Sequence, residues 1–317
     1  MAMEASKVVQ RLLNARPVNL PGHKNRINTV AWSSNGSYLA TGSDSNLKVF
    51  TVETDGYCKE VASFTGHTEA ITSCCWNPKN NNELVTCAVD NDVRFWDVGK
   101  KKCAKVITTK GDNLNITWSL DGKYIVAGNR DDVLTLIDAK ERKIVSESSI
   151  SYEINELCFD VSGAFLFAAS GIGGVGRVEV FRIKNNKLLR QTELVGHTSS
   201  CYCAKVDKTG MLMASAGTDS LVNLWDLQNL VCTKTFAHLD HPIRALSMSH
   251  DSKIIAYGSE NGVIAFGSVD TGAHLGGLDL GGGLNSIAWN PTKHMVAYSS
   301  AGRDPVIQVI GVNFKSK

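Results

Sequence analysis

Residues 66–98 carry a phrase in four parts. Gly66-His67-Thr68-Glu69-Ala70 leads into Ile71-Thr72-Ser73-Cys74-Cys75-Trp76, and Asn77-Pro78-Lys79-Asn80 follows. Leu84-Val85-Thr86-Cys87-Ala88 comes next, then Asp90, then Val93-Arg94-Phe95-Trp96-Asp97-Val98. The apolar runs are short, rich in β-branched and aromatic residues, and bounded by turn formers, which is the pattern of strands joined by tight turns. The same phrase returns at Gly196-His197, Ser215, Asp219 and Trp225-Asp226.

Working outward, the large residue that ends the first strand of the phrase has equivalents along the whole chain: Trp32, Trp76, Trp118, Phe159, Val206, Met248 and Trp289. Their separations are 44, 42, 41, 47, 42 and 41 residues by subtraction. A period of roughly 40–45 residues with about four strands per unit is that of a β-propeller blade. Seven units fill the 317 residues almost end to end. The predicted fold is all-β, a seven-bladed propeller over residues 15–313, with 1–14 as an N-terminal extension and 314–317 as a C-terminal tail. Within the extension, Lys7–Leu13 has the only helical pattern.

Paired Gly-His and Trp-Asp dipeptides at this separation, found twice, resemble the WD40-repeat family. The resemblance implies a hydrogen-bonded chain through His67, Asp90, Thr86 and Trp96 in the second unit, and through His197, Asp219, Ser215 and Trp225 in the fifth. Such a chain satisfies buried polar groups and locks the turn between blades. The first unit keeps Gly22-His23 and Asp44 but has Phe50 in place of the Trp. The third, fourth, sixth and seventh units depart further, and are expected to hold by strand pairing and apolar packing alone. Only about three strands follow Met248's unit in the last one: Leu284–Asn290, Met295–Ser299 and Val306–Val312. Ala15–Leu20 is therefore expected to supply the fourth, so that the N-terminal strand closes the last blade and hides its edge.

Composition narrows the function. The formal net charge is +2 and 20% of residues are charged, without the strongly basic face of a domain that grips nucleic acid by itself. Lys100-Lys101-Lys102 reads as a solvated hairpin turn and a weak import signal. No apolar stretch is long enough for a membrane span, which points to the cytosolic and nuclear side of the cell. Cys74, Cys87, Cys158, Cys201 and Cys203 lie in apolar strand runs and read as buried free thiols; there is no CxxC pair.

Three apparent chemical motifs dissolve on inspection. His, Asp and Ser or Thr recur in several units, whereas a hydrolase needs one activated nucleophile. Gly171, Gly173 and Gly176 fit a dinucleotide fingerprint, but Arg177-Val178-Glu179-Val180-Phe181 alternates as a strand where that fingerprint needs a helix. The eight histidines show no helical ligand pair, and His238 and His241 flank Asp240 in a loop, so no metal is expected.

Longer phrases are more specific. Thr109-Lys110-Gly111-Asp112-Asn113-Leu114-Asn115-Ile116-Thr117-Trp118 belongs to the third unit, with Gly128-Asn129-Arg130-Asp131-Asp132-Val133 and Ile137-Asp138-Ala139-Lys140. Leu221–Asp226, Leu230-Val231-Cys232 and Leu239–Arg244, running on to Ser247-Met248-Ser249-His250-Asp251, span the fifth and sixth. These phrases are similar to those of the WD40 subunits of THO/TREX mRNA-export assemblies, across all seven units and more loosely in the first, fourth and last. One departure is the short loop Ala301-Gly302-Arg303-Asp304, where relatives carry a longer charged insertion. The resemblance implies a non-catalytic nuclear scaffold that docks other THO/TREX subunits. RNA would be reached only indirectly, with no cofactor, small-molecule substrate or membrane.

In such propellers the loops leading into each innermost strand form the narrow face. Counting four and six residues back from the repeat marker gives Asn28 and Arg26, Thr72 and Ala70, Asn155 and Glu153, Tyr202 and Ser200, Arg244 and Pro242. Arg26, Asn28, Glu153, Asn155, Tyr202 and Arg244 are the candidate partner-binding residues, with the arginines and the tyrosine first because those types dominate interface hot spots. Two other readings compete. A ubiquitin-ligase substrate receptor would show Arg two residues after the Trp-Asp pair, where this chain has Gly99 and Gln228. A peptide or histone-tail reader would use the same narrow face.

Overall fold

A computed structural model describes residues 2–300 and 306–316; the loop Ala301–Asp304 lies outside the described residues. Among these residues there are seven four-stranded antiparallel sheets arranged as propeller blades. The innermost strands are Ile27–Trp32, Ile71–Trp76, Asn113–Trp118, Ile154–Phe159, Cys201–Val206, Ile243–Met248 and Leu284–Trp289. Each ends on the repeat marker identified from the sequence. The second strand of each blade, such as Glu83–Ala88, is packed on both faces by neighbouring blades and is buried almost throughout, so it reads as an unbroken apolar run. Between the first two blades, Leu47, Ile71, Cys74, Trp76, Leu84 and Trp96 fill one such seam.

Every innermost strand carries a bulge at the same place, between its first and third residues. The bulged residues are Asn28, Thr72, Leu114, Asn155, Tyr202, Arg244 and Asn285. A bulge adds one residue to one strand and re-aims its side chain. This is why the position four before the marker is distinctive: it is the extra residue that points along the propeller mouth.

The ring closes through the N-terminus. The last blade contains Leu284–Trp289, Met295–Ser300, Ile307–Gly311 and, outermost, Val18–Leu20. Val18 pairs with Val309 and Leu20 with Ile307. The pairing continues at the chain ends, where the Arg16 N–H donates to the Lys315 carbonyl at 2.7 Å and Ala15 bridges Ser316. Phe314 is buried against Val18 and Leu20, so the segment 314–316 is held against the body. Across the closing seam the Trp32 indole N–H donates to the Ala288 carbonyl at 3.1 Å.

The helix is longer than the sequence pattern suggests, spanning Ala2–Asn14. Ala5, Val9 and Leu12, at spacings of four and three, are buried in one cluster with Ile264 and Phe266 of the sixth blade and Tyr298 of the seventh. Its stability comes from this tertiary packing, since an isolated helix of such length is marginal in water. No helix is long and apolar enough to cross a membrane among the described residues.

The glycine run of the fourth blade is a hairpin. Phe165–Ile172 pairs with Val175–Lys184, and Gly171 and Gly176 sit within those strands. Gly173 and Gly174 alone make the turn, at φ +57° and +82°, the left-handed pair that a two-residue type I′ turn requires.

The expectation that the divergent blades hold by packing alone is corrected. In the fourth, Glu179 is wholly buried and accepts a hydrogen bond from Arg190 Nε at 2.5 Å. In the third, Thr109 Oγ1 donates to Asn113 Oδ1 at 2.9 Å, and Asn129 Oδ1 accepts from the Val133 N–H at 2.8 Å. These blades have other polar networks in place of the histidine-centred chain, although the Asn113 and Asn129 amide nitrogens and Glu179 Oε1 have no hydrogen-bond partner among the described residues.

Candidate functional site

In the second blade the His67 imidazole lies between two partners. Its Nδ1 is 2.9 Å from Asp90 Oδ2 and its Nε2 is 2.7 Å from Thr86 Oγ1. The Trp96 indole N–H donates to the same hydroxyl at 2.8 Å. The fifth blade repeats this: His197 Nδ1 is 3.0 Å from Asp219 Oδ2, His197 Nε2 is 2.8 Å from Ser215 Oγ, and Trp225 Nε1 donates to Ser215 at 2.8 Å. The first blade keeps half of it, with His23 Nε2 2.8 Å from Thr41 Oγ1.

The electrostatics match a closed network. Burial works to raise the Asp90 carboxyl, but the Thr68 N–H and His67 outweigh it and hold it below its usual range. Asp219 is held low in the same way, chiefly by His197 against its own burial. Burial, helped by Arg94, keeps the His67 ring below its usual value. The Thr86 and Ser215 hydroxyls are fully buried and lie between an imidazole and an indole. A nucleophile must reach its substrate, and these oxygens face only their own network.

The narrow face carries the other predicted residues, and the structure divides them. Asn28 Nδ2 donates to the Ile71 carbonyl at 2.9 Å, Thr72 Oγ1 to the Asn113 carbonyl at 2.9 Å, and Asn155 Nδ2 to the Cys201 carbonyl at 2.9 Å. In the third blade the residue after the bulge takes over, with Asn115 Nδ2 donating to the Ile154 carbonyl at 3.0 Å. Four successive seams are thus stitched by a side chain of one inner strand and the first carbonyl of the next. Asn28 and Asn155 belong to this stitching. Glu153 is an exposed loop residue. The backbone carbonyls of Ala70, Ser200 and Pro242 accept from Val89, Thr218 and Glu260 respectively.

The stitching stops at the fifth blade, where the bulged residue is Tyr202. Arg244 of the sixth blade lies over that ring, its guanidinium carbon 4.4 Å from the centroid, and also pairs with the Glu260 carboxylate. Arg26 of the first blade reaches across to donate to Asn285 Oδ1 at 2.7 Å. Arg26, Tyr202, Arg244, Glu260 and Asn285 surround a cavity of about 440 Å³ at the mouth of the axial channel. Below it, inner strands of all seven blades line the channel, of about 600 Å³, where Lys205 pairs with Glu156. Burial alone would lower the Lys205 amine, but the Glu156 charge outweighs it and the amine stays above its usual range.

Glu260 and Asn285 were missing from the sequence-derived set. Asn285 stands four before Trp289, so extending the same count to the seventh blade finds it. Glu260 is the acidic residue of the sixth blade's turn, recognisable only by its position opposite Arg244.

Comparison with known proteins bears on this arrangement. The WD domain, G-beta repeat family matches residues 16–51, 58–97 and 188–226, which are parts of the first, second, fourth and fifth units. The chain is 34% identical over 305 residues to THO complex subunit 3 of Arabidopsis thaliana, covering 96% of this chain and 95% of that protein. The chain belongs to the THO complex subunit 3 family of WD40-repeat proteins. It is also 33% identical to WD repeat-containing protein AAC3 of Dictyostelium discoideum, over 92% of this chain and 66% of that one. A more distant relative is anaphase-promoting complex subunit cdc20 of the same organism, 23% identical over 68% of this chain. The match to THO complex subunit 3 runs through all seven blades, including the third and sixth, which the repeat-family matches leave out.

Proposed function

We propose that this chain is a non-catalytic scaffold subunit of a nuclear THO/TREX-like complex, and that it helps couple transcription to mRNA processing and export by docking other subunits. The observation that carries this reading is the likeness to THO complex subunit 3 along 95% of that protein's length. A ring of blades whose buried His–Ser/Thr–Trp networks close on themselves in the second and fifth blades suits a subunit whose work is to hold partners in place. The docking point is the Arg26–Tyr202–Arg244 side of the narrow face, where an aromatic and two arginines meet at a cavity and none of the three donates to the next inner strand's first carbonyl. RNA is then a cargo of the assembly, reached through its other subunits.

The test is affinity purification of the tagged full chain from nuclear extract, with identification of co-eluting proteins. THO subunits are the expected result. Recovery of a cullin-type ligase scaffold in their place would replace this reading with a substrate receptor, and recovery of histones alone would point to a tail reader. The Arg244→Ala/Tyr202→Ala double variant is expected to lose those partners. Full retention by a folded double variant would move the docking site elsewhere.

A further inference from the structure

The one group of three or more metal-ligating side chains among the described residues joins His250, Asp251 and His294, with one donor atom from each lying within 4.8 Å of the others. The residues come from the same kind of loop in neighbouring blades. His250 and Asp251 follow the inner strand Ile243–Met248 of the sixth blade, and His294 follows Leu284–Trp289 of the seventh. We propose that they form a binding site for a divalent transition-metal ion of the zinc type, tying the loops of the sixth and seventh blades together.

The chemistry of the donor set fits such an ion. Two imidazoles and one carboxylate suit zinc and its neighbours, and a three-residue set leaves a fourth tetrahedral position for water. Asp251 is prepared for the role. Its Oδ1 accepts from Ser249 Oγ at 2.6 Å and from the Lys253 N–H at 3.2 Å, which fixes the carboxylate and leaves Oδ2 uncommitted. Oδ2 lies 3.9 Å from His294 Nε2. Tetrahedral zinc with bonds of about 2.0–2.2 Å needs ligand atoms roughly 3.3 Å apart, so a small rotation of either side chain closes the geometry.

The histidines are held by packing. Their ring centroids are 4.5 Å apart, and His294 lies edge-on to Trp289 at 6.3 Å. Each has a buried Nδ1 with no hydrogen-bond partner among the described residues. Buried polar atoms are normally paired, and an ion held by His294 would bind Nε2, the nitrogen that faces Asp251 Oδ2, leaving His250 Nδ1 as the unpaired nitrogen that coordination could use. Coordination there would use the His250 lone pair and orient that ring. Both histidines also line a cavity of about 230 Å³, with Lys293 and Asn313 on its wall, giving an ion a way in. Lys253, two residues from Asp251, is drawn aside, its Nζ 3.5 Å from Glu4 Oε2 on the N-terminal helix, while Lys293 stands on the cavity wall.

The position gives the ion a purpose. The helix covers this same seam, and Val9 and Leu12 pack against the sixth and seventh blades. A bridge between their loops would hold the ring at its closing end, and bound metal would raise melting by mass action.

The experiment is titration of the metal-free full chain with Co2+, followed by its visible absorption, with Zn2+ competition and melting measured alongside. The expected result is one saturable site with the intense spectrum of tetrahedral cobalt, displaced by Zn2+, and a melting temperature that rises with metal. His250→Gln and His294→Gln are each expected to weaken binding at least roughly tenfold, since loss of a group that merely orients a ligand already costs that much. Cys232→Ser controls for the exposed thiol and should bind as the parent does. Absence of saturable binding by the parent chain overturns the proposal. So does binding that survives both histidine substitutions, or that disappears with Cys232. Should a glutamine variant fail to fold, the parent titration and its melting shift decide alone.

Discussion

Arg244 places its guanidinium carbon 4.4 Å from the centroid of the Tyr202 ring, and the two residues are bulge positions of neighbouring blades. At the same place, Asn28, Thr72 and Asn155 donate to the first carbonyl of the next inner strand. Tyr202 and Arg244 make no such bond; they stack on each other, and Arg244 also pairs with Glu260.

That distinction separates binding from stability. Arg244→Ala removes a cation–π contact at a half-exposed site, worth about 0.5–1 kcal/mol, and so should shift melting only slightly. If it anchors a partner, affinity should fall by roughly tenfold or more, which is the usual hot-spot loss of over 1 kcal/mol. Binding measured beside thermal melting separates the two effects. Asn28→Ala should show the reverse pattern, because it breaks the bond to the Ile71 carbonyl.

Thr86→Val keeps shape but removes the hydroxyl shared by His67 and Trp96. Two buried groups then lose their partner, at about 1–3 kcal/mol each. Ser215→Ala should cost a similar amount in the fifth blade. Thr41→Val should cost less, because the first blade has Phe50 where an indole would donate. Denaturant unfolding of the three variants orders them.

Acid should weaken the fold in two stages. Burial first, then Lys48, lowers the His23 ring to about 4, and burial also holds His67 below its usual value. Between that folded value and the unfolded one the unfolded chain binds the extra proton, so stability is present above about pH 6.5 and falls as pH drops toward 4. Below the ordinary carboxyl range Asp90 and Asp219, held low in the fold, must also be protonated, and stability falls again. Melting temperatures from pH 8 to pH 3 should show this, and His23→Gln should flatten the first stage.

The N-terminus should prove structural. Leu12 is fully buried, and Leu12→Ala is expected to cost about 2–5 kcal/mol. Deletion through Pro21 also removes Val18–Leu20 from the last blade, exposing the edge of Ile307–Gly311. That variant should aggregate, as size-exclusion chromatography would show; a soluble monomer with unchanged melting would refute the role of this strand.

Thiol labelling should be selective. Cys232 is exposed, while Cys74 and Cys87 are buried, with burial pushing their thiols up to about 11 and about 12. A thiolate reagent on the native chain should modify Cys232 first, since the thiolate is the reactive form. Mass mapping of labelled peptides checks it.

Much of this was legible in order along the chain. Trp32, Trp76, Trp118, Phe159, Val206, Met248 and Trp289 end their inner strands because a blade is a local object: each strand pairs with the next through a short hairpin, so period and turn chemistry are enough. The closing strand followed from counting strands, because an edge left open is a liability. The helix was under-read. Met3 is exposed and the first turn shows little apolar pattern, so its true extent shows only against the sixth and seventh blades.

What the sequence determined by itself is the seven-bladed ring, the polar turn networks of its second and fifth blades and its family, all written in residues less than one repeat apart. What only the tertiary structure decided is which residues of the mouth are spent and which are free, and which distant loops meet. Asn28 and Arg244 occupy the same place in the repeat, yet one is bonded to a carbonyl 43 residues away and the other stacks on Tyr202. His250 and His294 become neighbours only because the ring sets two loops side by side. Backbone periodicity is a local property, whereas a side chain's partner depends on what the next blade presents to it.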